Sequence, residues 1–175
     1  MNKVFLIGYM GAGKTTLGKL FAEELGVEFI DLDHFIEARH QKTINQLFEE
    51  FGEDGFRRIE STMLKEVGSF ENVIISVGGG TPCFFDNMDF MNEVGETVYL
   101  KASAGILTQR LNPCKEKRPL IKDKTEAELL EFIDSSLQKR EPFYSKASYI
   151  FETETLLNKS QAKDYVNRLI KELIK

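Results

Sequence analysis

The sequence predicts an α/β fold: a five-stranded parallel sheet flanked by helices. Three observations carry that expectation. Val4–Ile7 and Val73–Val77 are continuous apolar runs rich in β-branched residues, as strands buried on both faces require. Stretches with apolar residues at helical spacing lie between the strand candidates. A glycine-rich stretch follows the first run directly, where a buried strand gives way to a helix. Alternating strands and helices imply right-handed crossovers, and therefore a parallel sheet covered on both sides.

In order along the chain, Val4–Ile7 is the first strand. Leu17, Leu20, Phe21 and Leu25 then recur at helical spacing, with Gly26 as the stop. Val27–Leu32 reads as the second strand and HFIEARH as the helix after it. Thr43 opens TINQLFEEFG with Gln46 three residues on, a capping-box signature, and Gly52 closes that helix. Val73–Val77, Thr97–Leu100 and Tyr149–Phe151 supply the remaining strands. Val166, Leu169, Ile170, Leu173 and Ile174 form one apolar stripe behind Ser160, the core face of a last helix.

The 175 residues suit one domain, 1–175, with a sizeable core. A net charge of −5 excludes a global positive field for nucleic acid or anionic membrane, so any anion must be held by local arrangement. Cys83 and Cys114 have no metal or redox spacing and make no disulfide framework, which suits a reducing cytoplasm. Val4–Ile7 is too short for a signal h-region or a membrane span, and a cytoplasmic protein is expected.

GYMGAGKTT, from Gly8 to Thr16, satisfies G-x-x-x-x-G-K-[ST] in full, with the strand before it and the helix after it that a P-loop requires. The glycines permit a tight anion-cradling turn, with no side chain between backbone N–H groups and phosphate oxygens. The helix adds its unpaired N-terminal donors. Lys14 can place a point charge on the β- and γ-phosphates, and the Thr15 hydroxyl can ligate Mg²⁺. This is an NTP phosphate site. The same loop serves GTPases, ATPases and kinases. Asn158-Lys159-Ser160-Gln161 lacks the aspartate of an Asn-Lys-x-Asp guanine reader.

The second strand ends in Asp31-Leu32-Asp33. Alternate residues of an extended strand point the same way, so both carboxylates are expected at the sheet's C-terminal edge, beside the phosphate loop. One can hold the metal through water and the other can accept a hydrogen bond from an incoming hydroxyl; Asp33 could equally cap the next helix. In FRRIE, Arg57 and Glu60 stand three apart on one helix face, where the pair is either a steadied guanidinium or an ordinary solvated ion pair. Gly78-Gly79-Gly80 can bring backbone N–H groups to a ligand or merely loosen the strand exit. Asn112–Lys124, NPCKEKRPLIKDK, is polar and lacks a sustained apolar face; it reads as an exposed loop or as a lid. His34 and His40 read as surface or packing residues, and Cys83 as packing.

The order of GYMGAGKTT, DLD, FRRIE, GGG, KRPL and a late Arg140-x-x-x-Tyr144 resembles the shikimate kinase family, small P-loop enzymes of the nucleoside-monophosphate-kinase-like group; the resemblance runs from Val4 to about Tyr149. It implies a P-loop NTPase fold with a lid inserted at about 112–124, usually monomeric, that phosphorylates the 3-hydroxyl of shikimate with ATP and Mg²⁺. Carried over, Gly11, Ala12, Gly13, Lys14, Thr15 and Thr16 would cradle the phosphates, with Thr15 and Asp31 holding magnesium. Asp33 would orient or deprotonate the attacking hydroxyl. Arg57 and Arg140 would clamp the shikimate carboxylate with donors from Gly79 and Gly80, as guanidinium forks suit planar oxyanions. Arg118 would reach the transferring phosphate, Arg110 would pack on adenine, and the loop Glu152–Leu156 would flank it. Gluconate kinases and non-catalytic nucleotide-binding modules are the rival readings.

Overall fold

The computed structural model describes residues 3–155 and 159–173; Leu156, Asn158 and Ile174 lie outside them. Five strands form one parallel sheet: β1 (Lys3–Ile7), β2 (Glu28–Asp31), β3 (Val73–Ser76), β4 (Glu96–Lys101) and β5 (Tyr149–Glu152), in the order β2-β3-β1-β4-β5. Each expected strand is present, with no end shifted by more than one residue. Among the described residues seven α-helices connect and cover them: α1 (Lys14–Leu25), α2 (Leu32–His40), α3 (Ile44–Val67), α4 (Asn87–Val94), α5 (Ala104–Leu111), α6 (Glu126–Tyr144) and α7 (Lys159–Leu173).

The alternation of strand side chains divides the core. Val4 and Leu6 of β1 join α1, α5, α6 and α7 on one face, while Phe5 and Ile7 join α2, α3 and α4 on the other. All four are fully buried, as the unbroken apolar run requires. Val166 and Leu169 of the C-terminal stripe are buried in the first layer. Helix starts follow their caps: Thr43 and Gln46 form the expected capping box of α3, and Thr125 with Glu128 forms a second one at α6.

Two expectations need correction, and a third, the stop at Gly52, holds with an addition. The second strand stops at Asp31 and α2 begins at Leu32, so Asp33 lies in the first helical turn rather than on a strand. Gly52 does interrupt the helix, with φ 68° and ψ −178°, but a second helical run follows at once within α3. The 112–124 segment is not structureless. A 3-10 helix spans Asn112–Lys117, Ile121 is 1% exposed in the core, and Lys115 Nζ donates to the Lys124 carbonyl at 2.7 Å.

Gly8, where β1 ends, has φ 140°, and a Cβ there would stand 2.7 Å from the Leu100 carbonyl oxygen of β4. Backbone cannot yield as a side-chain tip can. Gly8→Ala should therefore destabilise the fold by about 2–4 kcal/mol, combining strained dihedral and overpacking. A melting-temperature loss of about 5–15 °C, at roughly 2–4 °C per kcal/mol, is the expected calorimetric result, and an unchanged melting temperature would contradict this packing.

Candidate active site

In this strand order β1 lies between β3 and β4, so the chain switches direction beside it, and such switch points open a crevice at the C-terminal ends of strands. The loops leaving β1, β2 and β3 meet there. They border a cleft of about 440 Å³ whose lining includes Gly11, Gly13, Lys14, Thr15, Thr16, Asp31, Asp33, Gly79, Arg110 and Arg118. Ala12 is buried beneath it. Gly80, Arg57 and Arg140 do not line that cleft; they adjoin it through the glycine turn.

The phosphate loop turns on glycines with positive φ, Gly11 at 82° and Gly13 at 101°, the latter the N-cap of α1. Lys14 Nζ donates to the carbonyls of Gly8 (2.8 Å) and Tyr9 (3.0 Å). Burial pushes its pKa down to about 8, against the opposing pull of Asp33 and Asp31. Thr15 Oγ1 donates to Asp31 Oδ2 at 3.1 Å. A hydroxyl and a carboxylate side by side, next to a lysine on main-chain carbonyls, fit an Mg·nucleotide whose phosphates supply the metal's other oxygens. Consistent with so few protein ligands, no group of three His, Cys, Asp or Glu among the described residues could hold a metal alone.

Asp33 has its pKa pushed up to about 6, first by burial and then by the neighbouring Asp31 and Glu60, with Lys14 opposing. It stands against the glycine turn: a Cβ on Gly78 would lie 3.4 Å from Asp33 Oδ1. One on Gly79 would lie 2.9 Å from Arg140 Nη1, and one on Gly80 would lie 2.7 Å from Arg57 Nη2. Three consecutive glycines thus touch the carboxylate and both guanidinium groups expected to share one ligand. The turn is no loose strand exit, because it runs directly into a 3-10 helix, Thr81–Cys83.

Arg57 and Glu60 form a buried pair rather than a solvated one. Arg57 Nη1 to Glu60 Oε2 is 2.8 Å, with side chains 14% and 1% exposed. The other oxygen of Glu60 accepts from Thr81 Oγ1 at 2.6 Å. Asn87, at the start of α4, donates to the Thr81 carbonyl (2.9 Å) and accepts from Ser61 (2.7 Å), tying the turn to α3. The ring of Phe84 lies 4.2 Å from the Arg57 guanidinium, whose Nε has no partner among the described residues. Arg140 shares a hydrogen bond with Tyr144, and Tyr144 donates to the Gly79 carbonyl at 2.5 Å.

Arg110 reaches the carbonyls of Gly11 (3.3 Å) and Thr153, joining the phosphate loop to the loop after β5. His34 is exposed, 3.9 Å from Asp31. Thr81, Asn87, Ser61, Thr153 and Tyr9 were not anticipated. No local spacing marks the first four, since their partners lie 6 to 141 residues away. Tyr9 occupies an unrestricted position of the loop motif.

Comparisons with known proteins agree. The family profile described as shikimate kinase matches residues 10–173. A shikimate kinase of Phocaeicola vulgatus is 55% identical over 175 residues, covering 100% of both chains. The crystal structure of a Bacteroides thetaiotaomicron shikimate kinase superposes with a TM-score of 0.92 at 50% identity, over 99% of this chain and 98% of that one. An Acinetobacter baumannii shikimate kinase in complex with shikimate gives 0.85 at 34% identity, over 99% and 93%.

The raised pKa of Asp33 predicts a stability cost with a defined pH window. Its ionised form is disfavoured in the fold, so the penalty is complete above about pH 6 and absent below its ordinary 3.8. Asp33→Asn should stabilise the ligand-free protein by about 1–3 kcal/mol at pH 7.5, a gain that shrinks through pH 6 and vanishes near pH 4. Urea unfolding at three pH values checks this; a gain independent of pH would refute it.

Proposed function

The chain belongs to the shikimate kinase family, and from that premise we propose how its residues divide the work. The protein is an ATP- and Mg²⁺-dependent kinase that phosphorylates the 3-hydroxyl of shikimate, in the pathway to aromatic amino acids. The observation that carries the assignment of roles is the convergence of Asp33, Arg140 and Arg57 on Gly78, Gly79 and Gly80, beside the phosphate loop.

Gly11, Ala12, Gly13, Lys14, Thr15 and Thr16 hold the phosphates, and Thr15 with Asp31 holds the metal. Bound Mg²⁺ supplies charge neutralisation on the phosphate oxygens. Arg57 and Arg140 grip the shikimate carboxylate in paired N–H···O bonds, and the Gly79 and Gly80 N–H groups add donors. That grip places the hydroxyl at Asp33, whose carboxylate accepts its proton as attack proceeds; a pKa near 6 leaves Asp33 ionised at neutral pH, yet more basic than an exposed aspartate. Lys14 trades its two carbonyl partners for phosphate oxygens, and Arg118 extends from the 112–124 lid to the transferring group. Arg110 borders the adenine side, at the loop after β5. We also infer a single-domain, cytoplasmic monomer that binds neither nucleic acid nor membrane. A net charge of −5 supports this, and no helix among the described residues is long and apolar enough to cross a membrane.

ADP release measured with shikimate, with gluconate, with a nucleoside monophosphate and with no acceptor tests the whole reading; shikimate alone should stimulate it. Asp33→Asn should lower kcat by about 10²–10⁴-fold while ATP affinity stays within threefold. Retained turnover in that variant would remove Asp33 from its role. Arg57→Lys keeps a charge beside Glu60 but loses the planar fork, so KM for shikimate should rise about tenfold or more with little change for ATP. Equal changes in both KM values would mean the clamp is misplaced.

A further inference from the structure

Arg57 and Arg140 are held in different ways. Arg57 is paired with Glu60, whereas among the described residues no carboxylate lies within ion-pairing distance of Arg140. Its guanidinium lies instead over the ring of Tyr9, Cζ 4.9 Å from the ring centre, with the Tyr144 hydroxyl and Gly79 as further neighbours. Tyr9 is 1% exposed, and its own hydroxyl is buried with no hydrogen-bond partner among the described residues.

We propose that Tyr9 is a positioning residue for the acceptor site, its ring face holding Arg140 beside Gly79 in place of a counter-ion. The chemistry favours a ring there. A carboxylate partner would satisfy the N–H edges that an incoming acid must use, and the acid would have to displace it. An aromatic face attracts the cation through its quadrupole and leaves the edge donors open. Tyr9 packs within the core layer of Leu6, Leu17 and Leu100, and among the described residues its hydroxyl has no hydrogen-bond partner, so packing holds the ring. The main chain of the same residue serves the other substrate: the Tyr9 carbonyl accepts from Lys14 Nζ at 3.0 Å and from the Ala12 N–H at 3.2 Å. Changing the side chain leaves that carbonyl in place, so the two substrates should respond differently.

This inference rests on Arg140 gripping the shikimate carboxylate, and the experiment separates the two. KM values for shikimate and ATP are measured for Tyr9→Leu, Tyr9→Phe, Arg140→Ala and the Tyr9→Leu/Arg140→Ala double variant. Tyr9→Leu removes the π face and should raise KM for shikimate about tenfold, leaving ATP within twofold. Tyr9→Phe restores the face and should return shikimate to within twofold of the natural protein. In the Arg140→Ala background, Tyr9→Leu should add less than a further twofold. A full tenfold effect persisting there, or equal losses for both substrates, would make Tyr9 generic packing and overturn the proposal. If Tyr9→Leu does not fold, Tyr9→Met takes its place. An Arg140→Ala enzyme with normal shikimate KM would defeat the clamp itself, whereas a weakened Arg140→Ala beside a silent Tyr9→Leu defeats only the role of Tyr9.

Discussion

The site depends on burying charges of both signs beside one another. Lack of water pushes Lys14 down to about 8 and Asp33 up to about 6, so each is less comfortable in the fold than in solvent. Among the described residues neither forms an ion pair: Lys14 rests on two carbonyls, and Asp33 faces Asp31 and Glu60. In the proposed complex a triphosphate would offer Lys14 the negative charge it lacks, and a metal held at Asp31 would offset the crowding of carboxylates around Asp33. The ligand-free arrangement is therefore strained electrostatically in the direction that substrate binding corrects. The folded chain has already met the cost of orienting these groups, which is the condition for stabilising charge as it moves in the transition state.

What keeps those charges from relaxing onto one another is the stiffness around the glycine turn. Glu60 is held away from the cleft, because one oxygen binds Arg57 Nη1 and the other accepts from Thr81, and Thr81 is fixed through Asn87 to Ser61 of α3, while Arg57 Nη2 is left toward Gly80. Removing any one link would leave a buried donor or acceptor without a partner, so the set holds or fails together. The glycines of the turn leave the guanidinium groups where they stand, since a side chain at 79 or 80 would push aside the movable tips of Arg140 and Arg57. None of Gly78, Gly79 and Gly80 requires a positive φ, yet at each a side chain would press on Thr81, Arg140 or Arg57.

Legibility in the sequence follows the range of the interaction. The phosphate loop was readable because all its parts lie within nine residues, and the Arg57–Glu60 pair because one helix turn joins them. The strands were readable from burial on both faces. The end of β2 was not: Leu32 suits strand and helix alike, and only the extended backbone of Asp31 followed by the α2 turn decides the matter. The conclusion that both aspartates face the cleft survived although its geometric reason did not. Arg140 would pass for an exposed helical arginine on pattern alone, and only the resemblance singled it out. The Tyr9–Arg140 contact spans 131 positions, and no local periodicity reports such a pairing.

The order within the 112–124 segment bears on the lid role proposed for it. A structureless loop would have to order itself over the nucleotide, losing about 1–2 kcal/mol of conformational freedom for each residue fixed. This one is largely ordered beforehand. The Arg118 N–H donates to the Lys115 carbonyl at 2.8 Å, its own carbonyl accepts from Ile121 and Lys122 at 3.0 Å, and Ile121 is anchored in the same core layer as Leu107 and Leu129. Between the anchor and the cleft stand only two residues, Pro119 and Leu120, and Arg118 already borders the cleft. The role proposed for its guanidinium would then need only side-chain reach and a small displacement of a pre-formed turn. The polar composition that made the segment look unstructured reflects its exposed face, while one buried isoleucine and a set of main-chain hydrogen bonds give it shape.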